Sequence, residues 1–122
     1  SMKIAIATEA DHVAPGFGCA PFCSIVDVEG DQIRDCLMIP NPGGNHAFWA
    51  DLFFRNAIKF VIAGSMGPTA RSIMLGRGIQ PLLGVKGPID EVVRRFAAGE
   101  LRAGPTAPVA DAHADACCEC KG

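Results

Sequence analysis

Residues 60–68 read Phe-Val-Ile-Ala-Gly-Ser-Met-Gly-Pro, and this stretch decides the fold. Its first four residues form a short apolar run of the kind found in buried strands. The two glycines indicate a tight turn, and Pro68 suits the first position of a helix because proline lacks an amide hydrogen. A strand that enters a helix through a glycine turn is typical of a parallel sheet covered by helices.

The chain on either side of this stretch predicts one α/β domain. Before it, an apolar run predicts a central strand, and two β-rich runs separated by Gly30-Asp31 predict an antiparallel hairpin. After it, residues with the apolar spacing of a helix flank a second short apolar run. The predicted order is strands 3–7, 24–29 and 32–39, helix 45–59, strand 60–63, a helix from 68, strand 79–85 and a helix that begins near 89 and ends at Gly99. This order predicts a mixed five-stranded sheet in which the hairpin joins parallel βαβ units with right-handed crossovers.

The bulk composition restricts the class of protein. The 122 residues suffice for one domain, which we place at 2–101, and the Ala/Gly/Pro-rich segment 102–122 is predicted to be a flexible, Cys-rich tail. The formal net charge of −2 argues against nucleic-acid or anionic-membrane partners, which require a basic patch. No apolar run approaches the roughly 18 residues of a membrane-spanning helix. With no signal sequence in evidence, we expect the chain to be cytoplasmic.

Cysteines are concentrated in two places, and a cytoplasmic protein keeps them as thiols or metal ligands. Cys19 and Cys23 lie in a Gly/Pro-rich loop after the first strand, and the end of the chain contains Cys117, Cys118 and Cys120. Thiolates on such segments suit zinc, copper(I) or iron–sulfur centres. The four-residue spacing of the loop pair is a weak signal, and a reactive tail without a set function fits the last three equally well. Cys36 falls in an apolar strand-like run, where we expect a buried packing role.

The binding edge of the domain is expected beyond the carboxyl ends of its parallel strands. Three segments should meet there: the loop 8–23, the turn 64–67 and the Pro/Gly segment 41–46. The turn leads into a helix N-terminus, which favours an anion. Glycines that merely let strand and helix pack closely explain the turn at least as well. His12 and His46 are loop histidines, a type more often solvated than metal-bound.

The sequence lacks the familiar enzyme motifs. It contains no G-x-S-x-G elbow, no P-loop and no H-E-x-x-H pair. Carboxylates at Glu9, Asp11 and Asp27 are of the type that holds Mg²⁺ in a hydrolase. A two-metal nuclease needs a further carboxylate on strand 60–63, which has none. We therefore expect a binding protein and not an enzyme.

Several segments, in order along the chain, resemble the dinitrogenase iron–molybdenum cofactor biosynthesis family. They are Met2 to Thr8, Val13-Ala14-Pro15, Phe17 to Phe22, Asn41-Pro42-Gly43-Gly44, Val61 to Ala70, Gly78-Ile79 and Phe96 to Leu101. The resemblance covers nearly all of 2–101. It implies a ribonuclease H-like, three-layer α/β fold with a mixed five-stranded sheet, and the binding of a metal–sulfur cluster without catalysis.

In that family the loop after strand one and the segment after strand three border the cluster site, and here they hold Cys19 and His46. With the turn at the same edge, the residues expected to contact the cofactor are Phe17, Gly18, Cys19, His46, Gly64, Ser65, Met66 and Gly67. Those expected to ligate metal are Cys19, Cys23, His46, Cys117, Cys118 and Cys120. The chain departs from many relatives at Ala20-Pro21, at Cys23 and after His46, and its Cys-rich end matches only some stand-alone members.

The sequence thus predicts a carrier for an iron–sulfur or iron–molybdenum cluster, or a precursor, that it receives from a donor protein and passes to an acceptor. The turn 64–67 would donate amides to cluster sulfides, and the tail would capture or hand over metal. A regulatory domain that docks a partner, with incidental thiols, is the alternative. A ribonuclease H-like hydrolase is a third hypothesis, from the fold alone. An exposed sheet edge or shared tail thiols would permit a homodimer.

Overall fold

The computed structural model describes residues 2–43 and 46–101, which contain six strands and three helices. The strands are β1 (Met2–Glu9), β2 (His12–Val13), β3 (Phe22–Glu29), β4 (Gln32–Pro40), β5 (Phe60–Ile62) and β6 (Gln80–Leu82). The helices are α1 (His46–Arg55), α2 (Pro68–Gly76) and α3 (Ile89–Ala97). In this part of the chain, none of the helices has both the length and the apolar character needed to cross a bilayer.

The strands form one mixed sheet in the order β4-β3-β1-β5-β6, and β2 pairs with the carboxyl end of β1. Strands β1, β5 and β6 are parallel, whereas β3 and β4 form an antiparallel hairpin that joins β1 antiparallel. The predicted hairpin and parallel strands are confirmed. The described sheet has six strands instead of the predicted five, because the sequence gives no signal for the two-residue β2.

Helices pack on both faces of the sheet because β1 is apolar on both sides. Ala5 and Ala7 belong to a core that includes side chains of α1 and α2, such as Phe53. Ile4 and Ile6 belong to a second core with side chains of α3. Successive side chains of a strand point to opposite faces, so the near-continuous apolar run of β1 marks a strand covered on both sides.

Helix α1 ends at Arg55, before its predicted end at 59. Ala57 takes the left-handed conformation, with φ of 58°. The amide of Ile58 donates back to the carbonyl of Phe53 at 2.9 Å, which closes the helix end. The turn brings Ile58 into the core, where it is fully buried.

Strand β4 is exposed on both faces, with every residue from Gln32 to Met38 exposed. The prediction that Cys36 is buried is therefore wrong. The reason is topological: β4 has a neighbouring strand on one side only, and none of its residues is among the buried members of either described core. An apolar strand-like run does not by itself distinguish a central strand from an edge strand.

Candidate functional site

Hydrogen bonds hold the loop after β1 against the turn after β5. The amide of Gly64 donates to the carbonyl of Ala14 at 3.0 Å, and the amide of Phe17 donates to the carbonyl of Ser65 at 2.9 Å. The Ser65 hydroxyl donates to the carbonyl of Pro15 at 2.8 Å. Because both segments follow the carboxyl ends of adjacent parallel strands, the expected meeting of loop and turn is observed.

Gly64 is the point of closest approach between the two segments. A Cβ atom at this position would lie 2.7 Å from the carbonyl oxygen of Pro15 and 2.9 Å from its Cα. Both neighbours are backbone atoms, which cannot move aside as a flexible side chain can. Close packing is therefore sufficient to explain this glycine.

Phe17 joins the loop to the start of α1. Its side chain is buried, and its ring centroid lies 6.4 Å from that of His46 and 6.4 Å from that of Phe53. His46 is the first residue of α1 and is half-buried. The loop, the turn and the α1 N-terminus therefore converge on one residue.

Asn41 ties the third predicted segment to the same loop. Its side-chain nitrogen donates to the carbonyls of Gly18 (3.2 Å) and Ala20 (2.8 Å). Its side-chain oxygen accepts from the amide of Gly43 (2.9 Å) and from the indole nitrogen of Trp49 (3.4 Å). We call the residues gathered here the candidate site: 16–20, 41–43, His46 and 64–67.

The turn 64–67 ends at the N-terminus of α2. Gly67 is the N-cap residue and contributes no side-chain cap, and Pro68 follows at the first helical position. Amides at a helix start without a capping side chain remain able to bind an anion. Met66 was expected to contact the cofactor. Its side chain is fully buried in the core that includes residues of α1 and α2.

The two loop cysteines lie in different environments. Cys19 is half-buried within the loop that the Ala20 amide closes on the Phe17 carbonyl at 3.4 Å. Cys23 lies on β3 and is 3% exposed. Burial raises the pKa of the Cys23 thiol far above its usual range, and a backbone hydrogen bond with Ile6 only partly offsets this. The structure thus places Cys23 in the core and Cys19 in the candidate site.

The other predicted ligands are not brought to the candidate site. Cys117, Cys118 and Cys120 lie outside the described residues. Within 2–43 and 46–101, no three His, Cys, Asp or Glu side chains are grouped as a metal site. His12 is exposed, and its Nδ1 lies 2.6 Å from Oδ1 of the neighbouring Asp11.

A surface hollow of about 450 Å³ lies at the opposite end of β1 from the candidate site. It is lined by Met2, Lys3, Asp27, Asn56, Ala57 and Lys59. This lining contains neither a thiol nor an imidazole. The one soft donor among its residues is the thioether of Met2. The chemistry of the donors, and not the size of the hollow, therefore directs attention to the candidate site.

A family model described as dinitrogenase iron-molybdenum cofactor matches residues 1–99. The chain belongs to the dinitrogenase iron-molybdenum cofactor family. The match includes every segment of the candidate site, so the residues gathered at this edge all lie within the family's own domain. The residues beyond 99, including the three terminal cysteines, lie outside it.

Three similar proteins are of nearly the same length as the matched part of this chain. An uncharacterized protein of Methanocaldococcus jannaschii, MJ0580, is 29% identical in an alignment of 105 positions that covers 82% of this chain and 89% of that protein. The crystal structure of PH0822 is 27% identical and matches with a TM-score of 0.72 over 84% of this chain and 94% of the other. The apo form of the orange protein from Desulfovibrio gigas, at 22% identity, shares the fold with a TM-score of 0.70 over 85% and 94% of the two chains.

Sequence reasoning missed the part that two residues play in building the site. Asn41 was recognised only within a Pro/Gly turn, although an Asn two residues before a Gly is a common signal for a side-chain-to-backbone turn. Trp49 is one of the buried residues of α1. No sequence signal shows that its indole nitrogen reaches Asn41.

Proposed function

We propose that this member of the dinitrogenase iron-molybdenum cofactor family binds a metal–sulfur cluster, or a precursor of one, at the candidate site. The cluster is cargo that the protein carries from a donor protein to an acceptor protein in the cytoplasm. The protein acts in cofactor biosynthesis or delivery by binding and not by catalysis. Its cargo is of the iron–sulfur or iron–molybdenum type.

The observation that carries this proposal is the position of Phe17. The Phe17 amide donates a hydrogen bond to the Ser65 carbonyl, and the Phe17 ring packs near the His46 ring. Cys19 follows two residues later in the same closed loop. The loop that bears Cys19, the start of α1 that bears His46 and the turn before α2 therefore meet at one edge of the sheet.

The donor chemistry suits a sulfide-containing cluster. Thiolate and imidazole ligands favour iron and other transition metals over hard cations such as Mg²⁺. Such clusters carry net negative charge, which the amides and the dipole at a helix N-terminus favour. Cys19 and His46 are the ligands in this proposal, and Ser65 and Gly67 supply polar contacts from the turn.

A carrier requires a ligand set that also releases its cargo. Two side-chain ligands leave most metal positions of a cluster open to an acceptor protein. In a fully coordinated structural site, by contrast, metal binding contributes to the folding free energy, so the protein does not readily release the metal. In this proposal Cys117, Cys118 and Cys120 capture or hand over metal, and Cys23 stays in the core.

The test is anaerobic reconstitution of the full chain with iron and sulfide, and in parallel with tetrathiomolybdate as the molybdenum–sulfur probe. We expect charge-transfer absorption and bound metal in the unmodified protein. Cys19→Ser and His46→Ala should each reduce bound metal several-fold. Cys36→Ser and His12→Ala are matched controls, because each removes an exposed thiol or imidazole outside the candidate site.

Two results would count against the proposal. The first is an unmodified protein that retains no metal or sulfide from either probe after gel filtration. The second is that Cys19→Ser and His46→Ala leave the spectrum of the reconstituted protein unchanged, whereas Cys36→Ser or His12→Ala changes it. In the second case a cluster binds, but at a different place on the protein.

A further inference from the structure

We propose that Asn41 is the positioning residue of the candidate site. Its carboxamide fixes the distance between the Cys19 loop (residues 16–20) and the N-terminal half of α1. The proposal rests on the proposed function for the identity of the cargo. The hydrogen bonds that support the positioning role are all within the chain and do not depend on bound cargo.

The donor half of the carboxamide holds the Cys19 loop. The two hydrogens of Nδ2 reach the carbonyls of Gly18 and Ala20, at 3.2 and 2.8 Å. These are the residues on either side of Cys19. The direction in which the Cys19 backbone presents its thiol is therefore set by Asn41.

The acceptor half holds the start of the segment that leads into α1. Oδ1 accepts from the amide of Gly43, which has φ of 99°, and from the indole nitrogen of Trp49 on α1. Trp49 is buried and lies one turn along the helix from His46. The ligand-bearing loop and the ligand-bearing helix are thus joined through one side chain.

The four contacts use the whole hydrogen-bonding capacity of an Asn carboxamide, which has two donor hydrogens and two acceptor lone pairs. Rotating the group by half a turn would place its NH₂ against two donors and its oxygen against two carbonyls. Only one orientation satisfies all the partners, so the side chain is a rigid link. Asn41 is also fastened through its backbone, because its amide donates to the Pro21 carbonyl at 3.0 Å.

Asn41→Asp separates the two halves of this link. The substitution keeps an oxygen that accepts from Gly43 and Trp49, and it removes both donors to the Cys19 loop. The matched control is Asn56→Asp. Asn56 is exposed, lies outside the candidate site and donates to the carbonyl of Leu52 at 2.8 Å. Both variants make the same chemical change and add the same charge.

The first readout needs no cargo. Alkylation of the reduced full chain, mapped by mass spectrometry, reports each thiol separately. In Asn41→Asp we expect the rate at Cys19 to rise at least about fivefold, because a loop that loses its closing hydrogen bonds opens more often. Cys23, which is buried, should stay protected, and Cys36, which is exposed, should keep its rate. Asn56→Asp should behave as the unmodified protein at all three.

A second readout uses Trp49, which is the only tryptophan of the chain. Asn41→Ala removes the acceptor of its indole nitrogen and should shift the fluorescence emission, whereas the control Asn56→Asp should leave the emission unchanged. With cargo, Asn41→Asp should bind iron and sulfide with an altered charge-transfer spectrum and several-fold faster loss to a chelator. A residue needed only for folding would not change the spectrum of the cluster that remains bound.

The outcomes separate this proposal from the proposed function. If the unmodified protein binds no cluster, the proposed function fails, and Cys19 alkylation still decides whether Asn41 positions the loop. If the unmodified protein binds a cluster and Asn41→Asp matches it in Cys19 rate, spectrum and chelator loss, the positioning role is wrong. If Cys23 becomes reactive together with Cys19, Asn41 supports the whole fold and the positioning role is again wrong.

Discussion

At the scale of single residues, the tightest constraint is the approach of Gly64 to Pro15. Gly64→Ala would place Cβ 2.7 Å from a backbone oxygen, so the loop after β1 must move away from the turn. Overpacking of this kind costs about 1–3 kcal/mol, and we expect Gly64→Ala to lower the free energy of unfolding by that amount. Urea unfolding followed by circular dichroism measures it.

Gly76→Ala is the control for this prediction, because a Cβ there meets nothing within 4 Å and the residue ends α2. Alanine is the better helix former, so the control should be neutral or up to about 1 kcal/mol more stable than the original chain. Equal effects of the two substitutions would show that the loop and the turn are not in contact in solution.

The Cys23 thiol gives a pH prediction whose sign follows from its burial. In the unfolded chain the thiol ionises near its ordinary pKa of 9.0, whereas the raised pKa keeps it protonated in the folded chain. Above pH 9 the unfolded state therefore loses a proton that the folded state retains, and stability falls as pH rises. Between pH 8 and pH 10 this residue should remove stability on the order of 1 kcal/mol.

The measurement compares urea unfolding of the original chain and Cys23→Ala under reducing conditions at the two pH values. The variant loses packing at both pH values, but its loss of stability between pH 8 and pH 10 should be smaller, by on the order of 1 kcal/mol. Cys36→Ala removes a thiol that is exposed before and after unfolding. If Cys23→Ala declines as steeply as Cys36→Ala, then Cys23 is accessible to water in the folded protein.

At the scale of elements, β4 should tolerate a further charge although its residues 36–39 are apolar. Leu37 is 61% exposed on this edge strand, so Leu37→Lys should change the free energy of unfolding by less than about 0.5 kcal/mol. Ile62→Ala on the central strand β5 removes a fully buried side chain and should cost about 2–5 kcal/mol. A loss above about 1.5 kcal/mol for Leu37→Lys in urea unfolding would mean that another part of the chain, or a second copy, covers β4 in solution.

The contrast between β4 and β5 also shows which elements the sequence can predict. Apolar runs and helical spacing report burial along one element, so strands β1 and β5 and helix α3 were predicted near their observed positions. Edge position depends on strand order, which no single run contains, and this is why Cys36 was placed in the core. Strand β2 is too short to form a pattern, and the end of α1 depends on the left-handed Ala57.

At the scale of the whole molecule, the sequence is a good guide to which segments meet at the candidate site. It is a poorer guide to which side chains of those segments are exposed at that site. The carboxyl ends of parallel strands share an edge in any such fold, so the meeting of the loop 8–23 with the turn 64–67 needed only the topology. Which of Cys19 and Cys23 faces the candidate site depends on where β3 begins. Because β3 begins at Phe22, Cys23 is a strand residue with its side chain in the core.

The whole molecule also gives a prediction about the domain boundary. Leu101 packs against the core that contains α3, and the match to the family model ends at residue 99. A chain ending after Leu101 should therefore unfold within about 0.5 kcal/mol of the full chain in urea. A chain ending after Arg95 loses Phe96, whose ring packs on Phe60 with centroids 5.4 Å apart, and should be markedly less stable.

The same truncation distinguishes two roles for the terminal cysteines in the proposed carrier. If they capture metal for the candidate site, the chain ending after Leu101 takes up iron and sulfide more slowly but reaches the spectrum of the full chain. If they ligate the bound cluster, the final spectrum itself differs, because thiolate ligands shape the charge-transfer bands. A truncated chain that matches the full chain in both rate and spectrum would show that these three thiols take no part in cluster binding.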